Sequence, residues 1–101
     1  MQPLDRLKKL NTTDCLWIYV LRILRDEPMH AYQIRSEIEN RFGFKPGNVT
    51  SYKVFYLLNR SGLVKKREEG RRVVYEITEK GERELNDAAD FYKKRFELLS
   101  R

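Results

Sequence analysis

The stretch Val49–Ile77, VTSYKVFYLLNRSGLVKKREEGRRVVYEI, decides how this chain is read. Up to Ser61 its apolar and aromatic residues recur at helical spacing, and at Gly62-Leu63-Val64 that pattern stops. Leu63-Val64 then open a strand, Glu69-Gly70 offers a turn, and Val73, Tyr75 and Ile77 alternate with Val74 and Glu76 on a return strand. Lys65, Lys66, Arg67, Arg71 and Arg72 fall near the tip of this hairpin. A helix followed directly by a two-stranded basic ribbon is the plan of a DNA-binding winged helix.

Charge supports the same reading. The chain has 101 residues and a net charge of +6, with 36% charged residues and a sequence pI near 9.6. Arg35–Arg72 holds ten Lys/Arg against four Asp/Glu, whereas residues 1–34 hold five against four and 78–101 six against six. The surplus therefore sits on one segment, the footprint expected for a polyanionic partner such as nucleic acid.

Within the third helix, expected over Val49–Ser61, Phe55 and Leu58 fall on one side with Val54 and Leu57 flanking. Thr50, Lys53, Tyr56 and Arg60 fall on another. An aliphatic back and a front of hydroxyls, a phenol and cations suit a groove. Asn48 or Thr50 is placed to cap the helix, whose free amides would seat a phosphate.

Upstream, Leu4, Leu7 and Leu10 recur every third residue among Arg6, Lys8 and Lys9 as a short amphipathic turn or two that covers the core or a partner. Asn11-Thr12-Thr13-Asp14 supplies capping oxygens for a first core helix carrying Leu16, Trp17, Val20, Leu21, Ile23 and Leu24. Arg25-Asp26-Glu27-Pro28 ends it, since proline disfavours helical geometry in the residue before it. A second helix is expected over Ala31–Arg41 with Ile34, Ile38 and Phe42 inward, entered through Met29-His30, with His30 bonding backbone at the helix start. Phe42-Gly43-Phe44-Lys45-Pro46-Gly47-Asn48 is a breaker-rich connector whose aromatics plug the core.

Thr78-Glu79 opens the last helix, with Glu79, Glu82 and Glu84 where the helix dipole favours acids. Leu85, Ala89, Tyr92, Phe96 and Leu99 step by four, three, four, three, a coiled-coil seam, and Phe91 and Leu98 widen it. Pairing with the same helix of a second copy is expected, with docking back along the first core helix as the competing arrangement. The organisation is thus a mainly α fold with a small β hairpin, a winged helix-turn-helix over 1–77 plus a C-terminal dimerisation helix over 78–101.

Several classes are disfavoured. No run approaches the roughly 20 apolar residues of a membrane span, and Met1–Leu10 lacks the apolar run of a secretion signal, so a cytoplasmic protein is expected. Cys15 is the only cysteine and His30 the only histidine, so neither an intrachain disulfide nor a zinc ligand set can be assembled; Cys15 reads as a small buried residue early in a helix rather than a catalytic thiol. No acid/base pair with a nucleophile and no phosphate-cradling glycine loop points to an enzyme, and no cofactor is expected. Trp17, Tyr19 and Tyr92 would line any effector cleft between subunits, although aromatics at helical spacing are ordinarily core. A protein-interaction module and a sequence-tolerant, chromatin-like DNA binder are the alternatives.

Four motifs in register carry a family resemblance: Glu27-Pro28-Met29-His30-Ala31-Tyr32-Gln33-Ile34, Thr50-Ser51-Tyr52, Gly62-Leu63-Val64 and Tyr75-Glu76-Ile77-Thr78-Glu79-Lys80-Gly81. Together they resemble the PadR family of winged-helix transcriptional regulators, from about Leu16 to Gly81. Ala31 stands where that family usually has glycine, Lys53 where it commonly has proline, and the wing is short and lacks its usual proline. The resemblance implies a dimeric regulator, often a repressor, paired through the last helix. The expected partner is double-stranded DNA, read by Thr50, Ser51, Lys53 and Tyr56. Lys45, Lys65, Lys66, Arg67, Arg71 and Arg72 hold the backbone, and Tyr52 touches backbone or packs beneath the helix.

Overall fold

Leu16, Val20, Leu21, Ile23 and Leu24 occupy so wide an arc of one helix that no solvent-facing placement would accommodate them, and this helix runs through the centre of the protein. In the computed structural model, which describes residues 2–101, the elements follow in this order. Helix α1 spans Pro3–Leu10, a single 3₁₀ turn Thr13–Cys15, and the central helix α2 Leu16–Asp26. A two-residue strand β1, Met29–His30, leads into α3, Ala31–Phe42, and α4, Asn48–Arg60. Strands β2, Val64–Glu69, and β3, Arg72–Ile77, form the hairpin, and α5 runs Glu79–Leu99.

Around α2 pack Ile34 and Ile38 of α3, Phe55 and Leu58 of α4, Val64 and Tyr75 of the sheet, and Leu85 of α5. Phe42 and Phe44 both meet the Tyr19 ring edge-on, at 4.9 and 5.0 Å between centroids, so the connector aromatics seal the core as the sequence suggested. Phe42 itself remains 38% exposed. Asp26 accepts hydrogen bonds from Arg22 and from Arg41, clamping the end of α2 to α3. Those two guanidinium bonds hold its carboxyl below the ordinary carboxylate range.

The hairpin closes through a two-residue loop, Gly70-Arg71, with Glu69 opposite Arg72. Gly70 has φ +64° and no residue but glycine takes positive φ among the described residues, the signature of a turn with glycine at its first central position. A third strand escaped the sequence reading. Met29 and His30 pair antiparallel with Tyr75 and Val74, giving the order β1-β3-β2 and tying the start of α3 to the wing.

Helix α5 is docked by its first turn. Thr78 accepts from the Gly81 amide and donates to the Gly62 carbonyl, while Lys80 donates to the Ser61 carbonyl. A Cβ built on Gly81 would lie 2.1 Å from the Leu63 carbonyl oxygen and 2.8 Å from Ile77 Cγ1. The Thr-x-x-Gly spacing is therefore a contact requirement.

Three local expectations are corrected. Asn11 and Thr12 do not cap α2; their side chains donate back to the Leu7 and Lys8 carbonyls and finish α1 instead. Neither Asn48 nor Thr50 caps α4, whose N-cap is Gly47 without a side-chain bond. Leu85, assigned to a pairing seam, belongs to this protomer's own core, because the first half of α5 lies along α2. Beyond it the seam leaves the core. Tyr92 donates to Asn11 Oδ1 at 2.8 Å and stays partly exposed, and its hydroxyl is pushed up to about 12 by burial and the neighbouring Cys15. Ala89 and Phe91 are exposed, Phe96 is 71% exposed and Leu99 85%. Helix α1 buries nothing: Leu4, Leu7 and Leu10 all face outward.

Candidate nucleic-acid interface

Helix α4 presents two opposed faces because Ser51, Phe55 and Leu58, at i, i+4 and i+7, turn inward together. Ser51 is therefore not a base reader. It is fully buried, and its hydroxyl donates to the Gly47 carbonyl at 2.7 Å. Ser51→Ala is expected to lower stability by about 1 kcal/mol, since a buried hydrogen bond is lost while its acceptor keeps the helix amide of residue 51. DNA sequence preference should not move; an altered preference in a selection from random duplexes would contradict the buried assignment.

The opposite face is open. Thr50, Lys53 and Tyr56 are exposed, as the sequence reading required, and Tyr52, for which that reading allowed either a backbone contact or packing beneath the helix, is exposed too. Val49 joins this front, and Arg60 lies on it as expected. Val49 is 84% exposed and Arg60 is exposed, and with Lys53 and Tyr56 they form a stripe at i, i+4, i+7 and i+11. Arg60 Nη1 donates to the Tyr56 hydroxyl at 3.3 Å. Tyr52 is half-exposed and meets Phe55 edge-on at 5.8 Å, so it both flanks the core and faces the wing. Lys45 is exposed in the α3–α4 connector, which Arg35 fixes by donating twice to the Pro46 carbonyl.

The wing cations divide between two faces. By strand alternation Lys66 stands opposite Tyr75, on the face toward α4. Lys65 and Arg67 occupy the other face and reach Glu76 at 3.7 and 3.1 Å, and Arg67 also approaches Glu69 at 3.6 Å. These exposed pairs are worth little in stability, yet they take Lys65 and Arg67 partly away from a backbone contact. Arg71 and Arg72 sit at the tip and, with His30, Tyr32, Tyr52 and Val73, line a groove of about 510 Å³ between wing, α3 and α4. His30 and Tyr32 were not counted as site residues in the sequence reading; only the fold carries them next to Arg71 and Arg72.

Among the described residues, no group of three or more His, Cys, Asp or Glu is placed to hold a metal ion, and no helix is long and apolar enough to cross a membrane. A helical trio, a recognition-type helix and a hairpin closed by a third strand define a winged helix-turn-helix. Residues 20–87 match the model of the transcriptional regulator PadR-like family, and the chain belongs to that family.

Solved structures share the fold. A transcriptional regulator from Clostridium thermocellum is 19% identical, with a TM-score of 0.79 over 99% of this chain and 96% of its own. F93 from STIV, a winged-helix DNA-binding protein, is 23% identical, with a TM-score of 0.71 over 82% of this chain and 91% of its own. Bacillus subtilis PadR, solved in complex with operator DNA, is 23% identical, with a TM-score of 0.67 over 74% of this chain and 46% of its own. No curated protein sequence matches the chain.

Proposed function

We propose that the chain is a sequence-specific, duplex-DNA-binding transcriptional repressor that acts as a homodimer. The observation that carries this is the front of α4, free of core contacts, standing beside a wing whose Lys66 faces it and whose tip residues Arg71 and Arg72 line a groove with Tyr52. B. subtilis PadR, of the same fold, was solved with operator DNA, which supports the choice of ligand. Lys53, Tyr56, Thr50, Val49 and Arg60 enter the major groove. A lysine there pairs with guanine acceptors and Val49 contacts a thymine methyl. Lys66, Arg71, Arg72 and Lys45 hold phosphates and fix the register.

Two protomers place their α4 helices in successive major grooves about 34–36 Å apart. The pairing surface is the outer half of α5, where Phe91, Phe96 and Leu99 are exposed beyond the protomer's core. The C-terminal end of α1 is tied to α5 through the Asn11–Tyr92 hydrogen bond. Residues 78–101 thus begin as part of the protomer and end as the dimerisation element.

Lys53→Ala is expected to cost about 1–3 kcal/mol on the preferred sequence and to relax preference at one position. Arg71→Ala should weaken all sequences alike. Competition assays with single-base variants separate the two, and the reverse pattern would mean reader and anchor are exchanged. Repression is tested with a reporter behind the selected duplex, where loss of the protein should raise expression.

A further inference from the structure

The wing tip is moored to the start of α3 by one side chain. Arg72 Nη1 lies 3.2 Å from His30 Nε2, across 42 residues of sequence. A guanidinium offers only donors, so the imidazole takes this bond as an acceptor, which leaves its own hydrogen on Nδ1. His30 is itself fixed. It pairs with Val74 in the sheet, its backbone N–H donates to Gln33 Oε1 at 3.2 Å, and its ring stacks 6.5 Å from Tyr32.

Arg72 stands between two grooves. On one side are Arg71, Tyr32 and Tyr52; on the other Glu27, Gln33, Arg67 and Glu69. Glu69 is its direct cross-strand partner on β2, so a carboxylate competes for the guanidinium on the side of β3 opposite to β1. The His30 acceptor opposes that pull.

We infer that His30 is a positioning residue: it holds Arg72 toward the β1 edge of the wing, away from Glu69, so that Arg72, Arg71 and the Tyr32 hydroxyl form a seat for one phosphodiester of the DNA backbone. The seat rests on the DNA-binding reading above, so its test has an arm without DNA. His30 is the sole histidine, so the imidazole signals of the ¹⁵N-labelled full chain need no assignment by mutation. With the ring neutral, the spectrum should show hydrogen on Nδ1, reverting in Arg72→Ala to the Nε2–H form that free imidazole prefers. An Nε2–H form in the parent chain would overturn the mooring whatever the DNA result.

The second arm is a double-mutant cycle on duplex binding. His30→Ala and Arg72→Ala should each weaken binding by about three- to tenfold, the scale of losing one pre-ordered side chain, and together do no more than Arg72→Ala alone. His30→Gln, whose Oε1 restores an acceptor, should stay near the parent. Additive losses, failed rescue by Gln, or unchanged affinity in every variant would overturn the seat. A parent chain with hydrogen on Nδ1 that binds no duplex at all would refute the DNA reading and the seat with it, while the mooring stands.

Discussion

Replacing Phe96 and Leu99 with glutamate should separate the dimer and weaken binding to the selected duplex by about two to three orders of magnitude. Both side chains are more than two-thirds exposed in the protomer, so their replacement leaves its core intact. In a dimer the same change places carboxylates opposite one another in an apolar seam, which costs far more than the lost contact area alone. Each half-site would then be held by one protomer, and the loss of simultaneous engagement sets the magnitude. Light scattering and duplex titration read the two consequences separately. An unchanged mass would remove the outer half of α5 as the pairing surface, and a halved mass with unchanged affinity would show that a single protomer suffices.

Gly81→Ala should destabilise the protein by about 3 kcal/mol. An added methyl meets the Leu63 carbonyl oxygen at 2.1 Å, and that oxygen is fixed because it accepts from the Thr78 amide. Neither partner is a flexible side-chain end, so α5 must shift off the sheet, and overpacking of a fixed contact costs in this range. Helix propensity works in the opposite direction, favouring alanine over glycine by about 1 kcal/mol, which makes the sign informative. Urea unfolding measures the difference. A stability gain would mean that α5 is not seated against Leu63.

Where local rules act, the sequence was legible. Pro28 stops α2, Glu69-Gly70 turns the hairpin, and Thr78 caps α5 with Gly81 at the required distance; each follows from a constraint within a few residues. Strand β1 was not legible, because two residues carry no periodicity and Met29-His30 become a strand only through β3. Ser51 shows a different failure. Its spacing to Phe55 and Leu58 points inward while its hydroxyl suits a groove contact, and in the fold position prevails over residue type.

Five cations in a short stretch read as one patch, yet alternation along β2 sends Lys65 and Arg67 to Glu76 and Lys66 to the α4 side. Leu85 was misplaced because a heptad step does not say where along a helix one partner ends and the next begins. Burial against α2 decides it.

The most direct test of the central claim is the salt dependence of binding to a duplex selected from a random pool. About four phosphates neutralised per protomer, or eight per dimer, predict that the logarithm of the affinity falls against the logarithm of salt with a slope of about −7. A slope near zero, or no selectable duplex at all, would contradict a DNA interface built from α4 and the wing.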